Sequence, residues 1–391
     1  MKKLGPVYYW KNNHWITGIA ISLDEVEKLT QSIDKLNTLK SIRSDYSSEN
    51  TFSLPFPRKL IRVDFVGVNL NNLVTKQDVV KCRMIYNDSD GSFFDKPIDL
   101  SYQGSSSMAY AKKNFAMDIL NEDGSSCDIK IGDWPVMDSY NFKANFIDFT
   151  QSRNVTIARL AYQAACTRPY GQRFGWELPY SPGVTSLRDR FDDGSRGTID
   201  GFPMELFING EYWGLYTFNI KKTRKNFNMK KGEDIKIIMG AETHNSYIDF
   251  YESQWDFKNP DPVTPVTLEK VRRLFTWQRD IDRGRADFLS TYKDYWLKDQ
   301  WIDYFIFITL FYAPDCYWKN GMLCTWDGDR WAFMLYDLDT TFGVQNYELD
   351  AKRWPIIPSN GNYCYTGINQ LMDWYQKRCQ YVDSQWLISN D

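Results

Sequence analysis

Histidine is the scarcest functional residue here: the 391-residue chain has two, His14 and His244, far apart in sequence. That argues against a zinc centre built on imidazoles and against a Ser-His-Asp triad. Hydrolytic or transfer chemistry must then rest on carboxylates, amides and lysines, with a hard metal as their natural partner. Cysteine is sparse as well. Cys82, Cys127, Cys166, Cys316, Cys324, Cys364 and Cys379 are scattered, odd in number and form no C-x-x-C pair. Buried thiols in a reduced compartment fit that pattern better than a disulfide framework. A long apolar run is missing too. Lys2 and Lys3 begin the sequence, but Pro6 and Lys11 interrupt the apolar core that a signal peptide needs. The longest apolar stretch, Tyr304 to Ala313, is too short to span a bilayer and reads as a buried helix. The expectation is a soluble, unsecreted protein, cytoplasmic or part of a viral particle, with no membrane partner. Nor is there a basic excess: 47 Lys and Arg face 50 Asp and Glu, for a net charge of -3. Nucleic acid is thereby excluded as the main partner, because such binding needs clustered cations.

Aromatic residues are abundant at 16%, including 15 Trp and 25 Tyr. A ring-rich core and a sugar- or partner-binding surface would look alike by this measure, so the count alone decides nothing. The length suits one large domain or two modest ones. Near the start, Ser22 and Glu25 form a capping-box pattern, and Leu23, Val26, Leu29, Ile33 and Leu36 recur at helical spacing. The polar stretch Ser41 to Asn50, ending at Pro55 and Pro57, reads as a linker. Residues 1–59 are therefore expected to form an accessory segment, and 60–391 the main domain. From Leu60 the period changes. Ile61, Val63 and Phe65 alternate with Arg62 and Asp64, as in a half-buried strand, and further strands are expected over Val79–Tyr86 and Asn114–Leu120. Arg153 to Cys166 predicts a helix. Asn209-Gly210 predicts a hairpin turn between Glu205–Ile208 and Tyr212–Phe218. Helices follow over roughly 266–279 and 286–312, then a hairpin, Met322–Trp326 and Trp331–Tyr336, turning at Asp327-Gly328. The fold class is α+β, with a sheet-rich N-terminal part, a helix-rich C-terminal part and a cleft between them as the ligand site.

Three stretches hold the parts that phosphoryl transfer needs: a cation for phosphates, oxygen ligands for a metal, and a carboxylate to receive a proton. Gly104-Ser105-Ser106-Ser107 precedes the strand bearing Lys112 and Lys113, and small residues let backbone amides approach phosphate oxygens. Strand alternation puts Lys113 on the face of Phe115, Met117 and Ile119, with Lys112 pointing to solvent. Lys113 is thus the expected phosphate contact and Lys112 the second choice; both could equally be surface lysines. Asp315 stands five residues before Asn320 after the most apolar helix, the spacing of a kinase catalytic Asp and its metal-binding Asn. Asp337 and Asp339 follow a hairpin strand and could share a metal, or be solvated carboxylates in a turn.

Taken in order, these motifs resemble the CotH kinase family, named for a spore coat protein and built on an atypical protein-kinase fold. The resemblance runs through Gln103-Gly104-Ser105-Ser106-Ser107, Lys112-Lys113, the stretch Asn209-Gly210-Glu211-Tyr212-Trp213-Gly214-Leu215-Tyr216, Lys319-Asn320, and Asp337-Leu338-Asp339-Thr340-Thr341-Phe342-Gly343. Asp148 and Ser152-Arg153-Asn154 resemble its helix entry, and the likeness spans about residues 60–345. The resemblance implies ATP-dependent phosphorylation of protein Ser or Thr with Mg²⁺ or Mn²⁺. It maps the phosphate-contacting lysine onto Lys113, the catalytic Asp onto Asp315, and metal ligands onto Asn320 and Asp337 with Asp339 adjacent. Where members of the family carry a Glu after the Gly-x-Tyr strand, this chain has Asn219, Ile220 and Lys221. Helix 153–166 offers Gln163 rather than a Glu to pair with Lys113, which leaves Glu205 as the substitute on a neighbouring strand.

Two other readings stay open on the sequence. One is a kinase-like scaffold, weak or inactive, serving as a structural or binding component of a viral particle or other assembly. The other is a metal-dependent hydrolase using Asp315, Asp337 and Asp339.

Overall fold

The computed structural model describes residues 6–11, 14–19, 51–148, 150–168, 173–177, 194–243, 245–317, 319–342 and 368–386. The helix expected over 22–36 and the linker expected over 41–50 lie outside them. The chain divides into two compact units, Met1–Thr51 and Phe52–Asp391. The first holds an antiparallel hairpin of β1 (Pro6–Lys11) and β2 (His14–Ile19).

At the start of the second unit, β3 (Thr51–Leu54) precedes β4 (Ile61–Val66), β5 (Val80–Asn87), β6 (Phe93–Gln103), β7 (Asn114–Ile119), β8 (Asp128–Ile131) and β9 (Ser139–Lys143). Helix α1 (Arg153–Cys166) and the hairpin β10 (Gly201–Ile208) and β11 (Glu211–Ile220) follow. Seven of these strands close a barrel in the order β10-β11-β9-β7-β6-β5-β4, sealed by parallel pairing of β10 with β4. The alternation of β4 and β5 explains the inward face: Ile61, Val63, Phe65, Val80, Met84 and Tyr86 are buried. Aromatic rings fill the interior, with Phe65 stacked on Phe142 at 5.3 Å and Phe202 on Phe218 at 5.1 Å. The barrel is therefore a packed core rather than a channel. At the β10–β11 turn, Asn209 (φ 51°) and Gly210 (φ 86°) are both left-handed, the geometry a two-residue hairpin requires. Asn209 also accepts hydrogen bonds from the backbone N–H of Gly67 and Val68, tying the turn to the end of β4.

The rest of the unit contains β12 (Ile237–Ala241), β13 (Trp255–Asn259), α2 (Pro265–Asp282), α3 (Phe288–Thr291), α4 (Lys298–Leu310), β14 (Met322–Thr325), β15 (Trp331–Met334) and α5 (Ile368–Trp386). The architecture is mixed α and β, but the C-terminal part is not purely helical: β13-β12-β14-β15 form a four-stranded sheet. The helix expected over 286–312 is also interrupted. Leu297 N–H donates to the Trp331 carbonyl and Trp331 N–H to the Tyr295 carbonyl, so the chain at 295–297 is drawn alongside β15. Stacking of Trp296 on Trp301 at 3.7 Å holds that break. Beyond it, Tyr304, Ile308 and Phe311 are buried, whereas Phe305 and Ile306 face outward, so the burial expected of Tyr304–Ala313 covers one face only. The six described cysteines are free thiols. Among the described residues no helix is long and apolar enough to cross a membrane.

Candidate active site

A cavity of about 340 Å³ lies where the outer face of the barrel strands β6, β7 and β9 meets the segments around β14 and β15. Its position follows from strand alternation. In β9, Tyr140 and Phe142 point into the barrel, which turns Asn141 and Lys143 outward to the cavity. In β7, Phe115 and Met117 point inward, and Asn114 and Ala116 line the cavity. The cavity-facing side is thus the opposite side from the apolar face of β7.

The turn between β6 and β7 forms the rim through Gly104 and Ser105, with Ser106 opening a 3₁₀ turn over Ser106–Ala109. Gly104 has φ 115°, and a Cβ there would collide with Ser107 Oγ, so only glycine fits this turn. Asn114 braces it: its Nδ2 donates to Ser107 Oγ at 3.2 Å, and its Oδ1 accepts from Ala144 N–H at 2.7 Å.

Lys143 Nζ donates to Asp337 Oδ1 at 3.1 Å. Burial works against this ammonium, but Asp337, with Tyr336 and Asp339, outweighs it and raises the pKa above the ordinary lysine value. Asp337 occupies left-handed backbone, φ 58°, at the bend after β15. The next residue is fixed from α1: Leu338 N–H donates to Asn154 Oδ1 at 2.9 Å. The start of α1 is itself anchored by buried Asp148, which accepts from the Ser152 and Arg153 amides and pairs with the Arg153 guanidinium. The Asp148 and Ser152-Arg153-Asn154 motif therefore works as a clamp on the acidic bend. Within that bend, burial, then the neighbouring Asp337 charge, pushes the Asp339 carboxyl up to about 7.

Asp315 lies in a 3₁₀ turn, Pro314–Tyr317, and its carbonyl accepts from the amides of Lys319 (2.8 Å) and Asn320 (3.0 Å). That closure brings Asp315 and Asn320 to one cavity wall despite their five-residue separation. The loop is anchored below by Tyr304, whose hydroxyl donates to the Cys316 carbonyl, and by Cys316 Sγ against the Tyr336 carbonyl.

Gly104, Ser105, Asp315, Asn320, Asp337 and Asp339 thus converge on one cavity, the Ser106 side chain lies outside what the structure describes, and Lys112, Lys113 and Glu205 do not line it. Lys113 is held at the turn, its Nζ donating to the carbonyls of Met108 (2.5 Å) and Tyr110 (2.6 Å). Lys112 does not face solvent. It is half-buried, 4.3 Å above the Tyr216 ring, and donates to the Leu215 and Ala144 carbonyls. The reason is that β7 begins at Asn114, so alternation does not extend back to either lysine. Glu205 lies on β10 beside Arg62, registered opposite Leu215, and pairs with neither lysine. The residue sequence reasoning missed is Lys143. Its signal was present in Tyr140-Asn141-Phe142-Lys143, where apolar and polar residues alternate.

The donor set at the bend, carboxylates of Asp337 and Asp339 with the amide oxygen of Asn320, is all oxygen and suits a hard divalent cation. Among the described residues no three His, Cys, Asp or Glu side chains are already grouped as a metal site. Lys143 supplies the positive charge beside Asp337, and the raised Asp339 carboxyl fits a position that a cation would relieve. Two buried acceptors lining the cavity, Gln103 Oε1 and Asn141 Oδ1, have no hydrogen-bond partner among the described residues, as expected where a wall meets water or a ligand.

Compared with known proteins, residues 100–380 match the family model described as CotH kinase protein. No curated protein matches the chain.

Proposed function

The chain belongs to the CotH kinase family, and from that premise we propose that it is an ATP-dependent phosphotransferase acting on Ser or Thr of a protein. The observation that supports this reading best is the convergence of the Gly104 turn, Lys143, Asp315, Asn320, Asp337 and Asp339 on one cavity. The antiparallel run β6, glycine turn, β7, β9 follows the order of a kinase nucleotide-binding sheet, with the cavity as its cleft. In that frame Lys143, rather than Lys113, is the phosphate-side lysine, and the Gly104–Ser107 turn covers the phosphates.

Asn320, Asp337 and Asp339 would hold Mg²⁺ or Mn²⁺, which supplies charge neutralisation for phosphate oxygens. Asp315 accepts the proton of the incoming hydroxyl, a role an amide cannot take. Lys143 orients Asp337 and balances its charge. The decisive test has two stages. ATP with Mg²⁺ or Mn²⁺ raises the melting temperature if the site binds nucleotide, by about 2.7 kcal/mol of stabilisation at 100 times the dissociation constant. Transfer of labelled phosphate to protein then separates turnover from binding alone.

One observation favours a second reading, a scaffold with little turnover. No carboxylate from α1 reaches Lys143; its partner is Asp337, the proposed metal ligand. Metal-dependent ATP binding without label transfer would support that alternative.

A further inference from the structure

A second group of charges in the same cavity has no part in the roles above. Lys222, two residues beyond β11, places its Nζ 4.0 Å above the ring of Tyr336 and 3.9 Å from Asp256 Oδ2. The same Asp256 oxygen is only 2.7 Å from Lys258 Nζ. One carboxylate therefore serves two ammonium groups, and Lys258 holds it. The Lys222 side chain keeps 17% of its exposure and is one of the residues lining the cavity. Among the described residues its ammonium donates no hydrogen bond to a protein acceptor.

An enclosed ammonium with three donors and no acceptor is costly unless an anionic oxygen completes it. Burial is the largest influence on Lys222, and Lys258 adds repulsion; Asp256, Asp337 and Glu242 only partly offset them, leaving the pKa down at about 8. Location narrows the choice of anion. The ring under Lys222 belongs to Tyr336, the residue directly before Asp337, so the ammonium stands next to the acidic bend. Lys143 pairs with Asp337, and Lys112 and Lys113 donate to backbone carbonyls; Lys76 and Lys319 line the cavity as well, but among the described residues only Lys222 stands over the Tyr336 ring beside the bend.

We propose that Lys222, with Lys258 holding Asp256 away from it, forms a subsite for a phosphate oxygen of the bound nucleotide. This assignment rests on the nucleotide-binding reading above. It gives the cavity a phosphate contact from the segment after β11, separate from both the glycine turn and the acidic bend. The carboxylate between the two lysines then tunes the subsite, because Asp256 competes with the ligand for Lys222.

The test is calorimetric binding of ATP, inorganic tripolyphosphate and adenosine to the full chain and to Lys222→Met, which keeps the apolar stem. Lys222→Met is expected to weaken ATP and tripolyphosphate binding by about tenfold to a hundredfold, the range of one charge-assisted contact, and to leave adenosine unchanged. Lys258→Met is an independent arm that spares the enclosed position. Releasing Asp256 to Lys222 is expected to weaken tripolyphosphate several-fold. If the parent binds ATP and neither substitution weakens it, the subsite is overturned while the nucleotide reading stands. If adenosine weakens as much as ATP, the loss is a general distortion and the phosphate assignment is overturned. If the parent binds tripolyphosphate through Lys222 but no nucleotide, the anion subsite stands and the nucleotide reading falls. Should the parent bind none of the three, both fall.

Discussion

Lys143 at the end of β9 and Asp337 at the bend after β15, 194 residues apart in sequence, are joined by a 3.1 Å ion pair. Their side chains are 8% and 27% exposed, so the bond lies largely out of solvent screening. Lys143→Met would leave Asp337 and Asp339 without the cation that offsets their charges. The expected cost is on the order of 2–4 kcal/mol, somewhat below that of a fully buried pair. Lys143→Met combined with Asp337→Asn should recover part of it, and denaturant unfolding of the cycle measures the coupling. Nucleotide binding should fall with Lys143→Met and survive Lys113→Ala, since Lys113 serves the turn carbonyls. The reverse pattern would return the phosphate-side role to Lys113.

The acidic bend also sets a pH dependence. The Asp339 carboxyl is raised from 3.8 to about 7 in the folded chain, so between these values the folded state binds more protons than the unfolded state. Its contribution to stability is full below pH 3.8, declines as pH rises toward 7, and levels off above. A tenfold change in proton affinity is worth roughly 1.4 kcal/mol, so the decline is large enough to read in a melting curve. Asp339→Asn should flatten that stretch of the melting-temperature profile. Added Mn²⁺ competes with the proton, so its stabilising effect should be larger at pH 8 than at pH 5.5. A metal effect that is equal at the two values would remove Asp339 from the ligand set.

At Lys222 the sign is opposite. Its pKa is lowered to about 8, so the ammonium is charged at pH 7 and increasingly neutral above pH 8. ATP affinity should fall as pH rises through 8 and level off once the loss reaches about that of Lys222→Met. The groups that set this value are Lys258, Asp256, Asp337 and Glu242. Lys222→Arg, which stays charged, should flatten the profile between pH 7 and 9.5. Isothermal titration across that range decides it; a parent profile as flat as the variant's would show that Lys222 charge does not matter to binding.

Strands and helices with a strong period were legible from the residues alone. Ile61, Val63 and Phe65 marked β4, Asn209-Gly210 marked the β10–β11 turn, and α1 spans Arg153–Cys166 as its spacing indicates. That Asp315, Asn320, Asp337 and Asp339 would come together was legible too, because they sit in short segments with recognisable spacing, and they line one cavity. The cationic half was not. Alternation puts Lys113 with Phe115, Met117 and Ile119, but the closed barrel turns that face inward and presents the polar face to the cavity. Lys143 becomes visible only once β9 is known to lie between β7 and β11. The break at 295–297 was likewise hidden, since it depends on Trp331, which lies more than thirty residues further along the chain.

The acidic residues should divide their work in a way that two substitutions can separate. Asp315 enters its turn from Pro314, and its carbonyl is fixed by the Lys319 and Asn320 amides, so its side chain is held at the cavity wall. In the proposed role it takes a hydroxyl proton, and Asp315→Asn removes that capacity while keeping the side-chain shape. Label transfer should then disappear while Mn²⁺-dependent ATP binding stays within a few-fold of the parent. Asp337 stands elsewhere, at the bend beside Asp339 and under the Lys143 ammonium. Asp337→Asn removes a proposed metal ligand and leaves Lys143 without its carboxylate, so ATP affinity in Mn²⁺ should drop by at least about tenfold along with transfer. Without metal, the two variants should bind nucleotide alike. Calorimetry of both variants with ATP, with and without Mn²⁺, separates the two roles. Equal loss of metal-dependent affinity in both would mean that Asp315 also holds the cation, and the proton-accepting role would then need another residue.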